Sequence, residues 1–232
     1  KSDEGFTARE LKALGERAFY NYPVQLVPTL PNALSSPNRA GMWDHDGRTG
    51  AVWVRFSSGS ITSAFTCSTC HASVDHGALV TGRNNADLDV GRINGDGLHG
   101  PAWGLGRVDV TADGIDNPVT ITDLRPLRFQ ENLHHAATLR NDPISLAVRI
   151  ETLIITSHHE AVRPPRKIIA ALALFLLDLA PKSALPSPES PGAAVFERTC
   201  GSCHRGEGRT GPAVPFSVVG TDPKSDIAVI KV

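Results

Sequence analysis

The chain has 232 residues, enough for one large domain or two small ones. Hydrophobic residues make up 41% and charged residues 20%, an ordinary globular composition that excludes a disordered or fibrous chain. A formal net charge of −1 leaves no basic face for nucleic acid or acidic lipid, and the longest apolar run, residues 168–180, falls short of the ~20 residues a membrane span needs.

In chain order, the first predicted element is a helix after Thr7. Thr7 and Glu10 have capping-box spacing, and Leu11, Leu14 and Ala18 share one face, with Gly15 and Phe19 in the pattern Gly-x-x-x-Phe. The stretch "GMWDHDGRTG" follows at 41–50, and then "FTCSTCH", which holds Cys67, Cys70 and His71. Residues 81–126 are rich in Gly, Asp and Asn and are expected to form a long irregular excursion. Within it "GDGLHG" fits a dinucleotide-loop pattern, but Pro101 follows and no βαβ unit surrounds it. Asp87, Asp89, Asp96, Asp113 and Asp116 could bind calcium through oxygen, although such residues more often make Asx turns. His134 and His135 precede a helix expected to be capped by Asp142 and to start at Pro143. His158 and His159 lie before a further helix that Pro164 and Pro165 introduce, with Ile168, Leu172, Phe175, Leu176 and Leu179 along one face. The Pro- and Ser-rich stretch from 181 reads as a linker. Beyond it "GAAVFERTCGSCH" repeats the Gly-x-x-x-Phe helix, at Gly192 and Phe196, and ends in Cys200, Cys203 and His204. "GRTGPAVPFSVVGTDP", which follows, is expected to be loop.

The chain has four cysteines, all within the two Cys-x-x-Cys-His units. One reading is a Cys₄ zinc site, but the two pairs lie much further apart than the usual ~15–20 residues. A second is a pair of redox disulfides, which would call for a βαβ context that neither unit has. The third is covalent attachment of haem c. Each thiol adds to a vinyl group as a thioether, and the next residue places its imidazole under the iron. This reading alone gives the two histidines a task. It makes Cys67, Cys70, Cys200 and Cys203 the attachment residues of two haems, and His71 and His204 the proximal iron ligands.

The other axial positions must come from elsewhere. There is one methionine, Met42, against seven histidines outside the two units: His45, His76, His99, His134, His135, His158 and His159. That ratio favours bis-histidine iron. His134 or His135, between the first unit and the later helix, is expected to close the first haem. His76 follows His71 too closely to cross a haem. After His204 there is no His or Met, so the second iron is left open, or takes His158, His159 or His45, or is closed by further chain or another subunit.

The helix pattern around the first unit resembles cytochrome c, in which an N-terminal Gly-x-x-x-Phe helix crosses a C-terminal helix beside the haem. The di-haem layout, together with "GMWDHDGRTG" and "LHHAATL", resembles the bacterial cytochrome c peroxidase and MauG group. The resemblance implies a mainly α fold of cytochrome c-like domains with long irregular loops and little β. Residues 1–181 would be an enlarged first domain, 182–190 a linker, and 191–232 a second domain, apparently incomplete. It implies one electron-transfer haem and one peroxide-reacting haem, with Trp43 near the electron path. The expected function is that of a di-haem c-type cytochrome passing single electrons to a redox partner protein. The alternatives are a di-haem peroxidase with one open iron, and a haem-bearing structural subunit completed by its partner. Attachment of haem to such motifs takes place outside the cytoplasmic membrane, so a periplasmic or extracellular location is expected, with an export signal upstream of Lys1 in the precursor.

Overall fold

The computed structural model describes residues 6–36, 39–95, 99–110, 114–133, 138–157, 163–179, 191–199 and short runs up to 231 (204–205, 209–210, 214–215, 217–222 and 227–231). The first half runs α1 (Ala8–Asn21), β1 (Gln25–Leu26), α2 (Leu30–Ser35), β2 (Ala51–Arg55), β3 (Ile61–Phe65), α3 (Cys67–His71), β4 (Ala72–Asp75), β5 (Ala78–Thr81) and α4 (Val90–Gly95). Then come β6 (Arg107–Val108), β7 (Val119–Thr120), β8 (Asn132–Leu133), β9 (Leu139–Arg140), α5 (Pro143–Ser157), α6 (Arg166–Leu177) and α7 (Pro191–Thr199). The last elements are β10 (His204–Arg205), β11 (Arg209–Thr210), β12 (Val214–Pro215), β13 (Ser217–Asp222) and β14 (Ile227–Lys231).

The expected mainly α fold with little β is not what forms. The architecture is mixed α/β, with small antiparallel sheets spread along the chain, in the orders β1-β3-β2, β4-β5, β6-β7, β8-β9, β10-β11-β12 and β13-β14. The hairpin β2–β3 shows why. "AVWVRF" is β-branched and aromatic, a Ser-Gly turn follows, and "ITSAF" returns in register with Trp53 opposite Ser63. A reading guided by helices passes over that signal. The excursion at 81–126 likewise holds α4 and the β6–β7 pair, and the stretch 208–223 expected to be loop contains β11 to β13.

The helices stand where their end signals put them. At α1 the Glu10 amide donates to the Thr7 hydroxyl at 3.2 Å, and the Thr7 amide donates to the Glu10 carboxylate at 2.9 Å, closing the capping box. At α5 the Asp142 carboxylate accepts the amides of Ile144 and Ser145, both at 2.9 Å. Residue 165 ends the approach to α6 as its cap. α1 packs on α6, and the crossing centres on Gly15, where an added Cβ would lie 2.1 Å from the Ala171 carbonyl oxygen. Only a residue without a side chain lets the two backbones come so close. Phe19 and Phe175 meet beside this point with ring centroids 5.5 Å apart.

Two apolar clusters lie among the described residues. One joins α1, α5 and α6 through Phe19, Leu146, Ile150, Ile154, Leu172 and Leu176. The other joins α2, α4 and β3 through Leu30, Ala33, Phe65, Leu88, Val90 and Ile93. Cys67 packs against the first and Cys70 against the second, so α3 sits at their junction.

Candidate functional site

β3 delivers the chain into the single helical turn of α3, which carries Cys67, Cys70 and His71. Positions i, i+3 and i+4 of a helix share a face, so these three side chains leave α3 on one side. The intervening Ser68 and Thr69 point the other way and are fully buried, each 0% exposed, while Cys67, Cys70 and His71 are half-buried. The turn is thus anchored through its spacer residues, with its two thiols and imidazole on the less covered side.

The anchor is a set of hydrogen bonds around Gly50. The Gly50 carbonyl accepts the hydroxyls of Thr66 at 2.8 Å and Thr69 at 2.6 Å. Gly50 has φ +71°, and a Cβ there would stand 2.9 Å from the Thr69 backbone, so glycine is required on both counts. Trp43 is buried and its indole N–H donates to the Ser68 carbonyl at 2.8 Å. Tyr20 stands edge-on to Trp43, with centroids 6.4 Å apart. Asn85, 3% exposed, donates through its amide nitrogen to the Gly41 carbonyl at 3.0 Å and the Thr69 carbonyl at 3.2 Å, and its backbone N–H donates to the Cys70 carbonyl at 2.8 Å. Asn85 and Gly50 escape a sequence reading. The one available hint is a lone Asn or Gly near a motif, and neither is distinctive in so Gly-, Asp- and Asn-rich a chain.

The His71 ring has a defined orientation. Its Nδ1 lies 2.9 Å from the Thr122 carbonyl oxygen. A carbonyl can only accept, so Nδ1 carries the proton and Nε2 keeps its lone pair. Histidines that bind metal are generally held this way through their second nitrogen. Burial lowers the His71 pKa, opposed by the Thr122 hydrogen bond and the Asp123 charge. The ring is therefore kept neutral, the form that ligates.

Burial also pushes the Cys67 and Cys70 thiols up to about 12. Without a bound metal both are therefore neutral thiols near neutral pH. A thioether carries no charge and is at home in the same surroundings. Among the described residues no three His, Cys, Asp or Glu side chains converge on one point. The donor set fits covalent haem attachment, with two thiols and one imidazole on a face at the junction of two apolar clusters.

Other candidates are placed as follows. Cys200 and Cys203 lie outside the described residues, as do His134, His135, His158 and His159. α7 ends at Thr199 immediately before the second unit, and His204 begins the short strand β10 rather than ending a helical turn as His71 does. Met42 is buried in the second apolar cluster. His45 is half-buried, with its Nδ1 3.3 Å from an Asp46 carboxylate oxygen. His76 occupies the turn between β4 and β5 at φ +48°, and His99 is exposed. Of the aspartates considered for calcium, Asp89 caps α4 by accepting the Arg92 amide at 3.1 Å, and Asp116 accepts the Trp103 indole N–H. Asp87 is exposed, and Asp96 and Asp113 lie outside the described residues. Of "GDGLHG", residues 96–98 lie outside the described residues, while Gly95 ends the six-residue α4 and its backbone approaches that of Gly100 closely. Among the described residues no helix is long and apolar enough to cross a membrane.

No family model, curated protein or solved structure matches the chain.

Proposed function

We propose that this protein is a di-haem c-type cytochrome that transfers single electrons outside the cytoplasmic membrane. The observation that carries the reading is the disposition of α3: Cys67, Cys70 and His71 on one face, with the His71 Nε2 lone pair left free by the bond from Nδ1 to Thr122. When bound, haem c supplies an iron that alternates between ferric and ferrous states. The chain's own residues do the rest. Cys67 and Cys70 would hold the group covalently at the junction of the two apolar clusters, and His71 would supply an iron ligand. Gly50, Trp43 and Asn85 hold the turn rigid, so that little rearranges when charge changes. Cys200, Cys203 and His204 would hold the second haem by the same chemistry.

His134 or His135 is proposed as the sixth ligand of the first haem, and His158 or His159 as a ligand of the second. Two filled axial positions suit electron transfer, which needs no open coordination site.

The test is expression in a host equipped for haem attachment, followed by acid–acetone extraction and mass spectrometry. Two haem masses should stay with the chain, and Cys67→Ala with Cys70→Ala should remove one of them. A chain that releases all its haem on extraction would refute the reading. An EPR spectrum of the oxidised protein should then show two low-spin ferric signals. A high-spin signal would point instead to an open, peroxide-reacting iron.

A further inference from the structure

His71 is held by more than one carbonyl. The segment that supplies Thr122 is tied to α3 through Gly82, whose N–H donates to the His71 carbonyl at 2.8 Å and whose carbonyl accepts the Leu124 N–H at 2.7 Å. Between Thr122 and Leu124 stands Asp123. Its carboxylate accepts the Arg125 backbone amide at 2.8 Å, and the Arg125 Nε lies 3.0 Å from each of its oxygens, with Nη2 closing a further contact. The forked guanidinium occupies both carboxylate oxygens, which is the strong, geometrically fixed form of this pair. Both side chains are largely covered, 20% exposed at Asp123 and 32% at Arg125, so the pair is less screened by water than a surface bridge. Asp123 directly follows Thr122, whose carbonyl accepts the His71 Nδ1–H, so the ion pair stands one residue from the anchor of the ring.

We propose that Asp123 and Arg125 are positioning residues for His71: an ion-paired brace that fixes the Thr122 carbonyl against Nδ1 and keeps the charge beside the imidazole near zero. The inference rests on the haem reading above and goes further, because it assigns control of the first iron's reduction potential to two residues outside the motif. The argument is electrostatic. A bare carboxylate near the ring favours the more positive ferric state, and a bare guanidinium disfavours it. Paired, the two leave the equilibrium where the ligands set it.

The experiment is an optical redox titration of the full-length haem-loaded protein, after the haem masses have been confirmed for each variant. In Arg125→Gln one of the two Nernst waves should shift toward the ferric form by about tenfold, a drop of about 59 mV for a one-electron couple. In Asp123→Asn the same wave should move the opposite way, and the double variant should return near the starting value. Arg125→Lys should restore most of the effect by keeping the charge. A merely structural role would move Arg125→Gln and Asp123→Asn in the same direction, through a loosened His71, and would overturn the proposal. So would shifts below about twofold in both. Those results leave the haem reading intact, because the covalent haem has been counted first. Chains that retain no haem overturn both.

Discussion

Gly15→Ala tests the helix crossing that frames the site. In isolation the change favours folding, since alanine is better than glycine in a helix by about 1 kcal/mol. In this fold the new Cβ would sit 2.1 Å from the Ala171 carbonyl oxygen and 2.6 Å from the Phe175 Cβ, against the 3.4 Å at which ordinary contact begins. The obstacle is helix backbone, so α1 and α6 must separate by about 1 Å or more. Overpacking of this kind typically costs ~1–3 kcal/mol, and here the separation also loosens Phe19 against Phe175 and the cluster against which Cys67 packs. Steric cost should exceed the propensity gain, for a net loss of up to about 2 kcal/mol. The assay is urea unfolding followed by far-ultraviolet circular dichroism. Ala13→Gly, at an exposed position of the same helix, serves as the comparison, with a loss near 1 kcal/mol from propensity alone. A Gly15→Ala protein as stable as the wild type, or more so, would show that α1 and α6 do not meet at this residue.

Asn85→Leu should cost about 2 kcal/mol or more, because the Gly41 and Thr69 carbonyls lose a buried donor, and denaturant unfolding reads it directly; an unchanged midpoint would mean that water serves those carbonyls equally well. In protein made without haem attachment, Cys67 and Cys70 should react with iodoacetamide at pH 8 at least ~100-fold more slowly than in urea, since burial pushes both thiols up to about 12; native labelling as fast as in urea would contradict that burial. Tyr20 gives a pH signature. Its pKa is raised by burial, so its contribution to stability is complete below the ordinary tyrosine value near ~10 and is lost as pH rises through the higher folded value. Stability of the haem-loaded protein should therefore fall above about pH 10, and Tyr20→Phe should flatten that slope; an unaltered slope would place the titration elsewhere.

The sequence by itself determined the local chemistry. The first Cys-x-x-Cys-His unit, the capping box at Thr7 and Glu10, the Asp142 cap and the proline start of α6 all depend on residues a few positions apart, where spacing alone fixes geometry. The helix crossing was expected only through the cytochrome c resemblance that Gly15 and Phe19 carry, and the structure shows its steric basis at Gly15. The tertiary structure decided what depends on distant partners. The β2–β3 hairpin carries a local signal, but whether it forms a sheet is settled by pairing with β1, which places Gln25 opposite Phe65. Thr122 and His71 are far apart in the chain, and no periodicity or motif links a backbone carbonyl to an imidazole at that separation. Asn85 and Gly50 are in the same position: one polar side chain and one left-handed glycine acquire their roles only when the fold brings α3 between them. The motif places two thiols and an imidazole on one face of α3. The long-range hydrogen bonds decide which nitrogen of His71 is free and what charge stands beside it, because these follow from contacts that chain order does not encode.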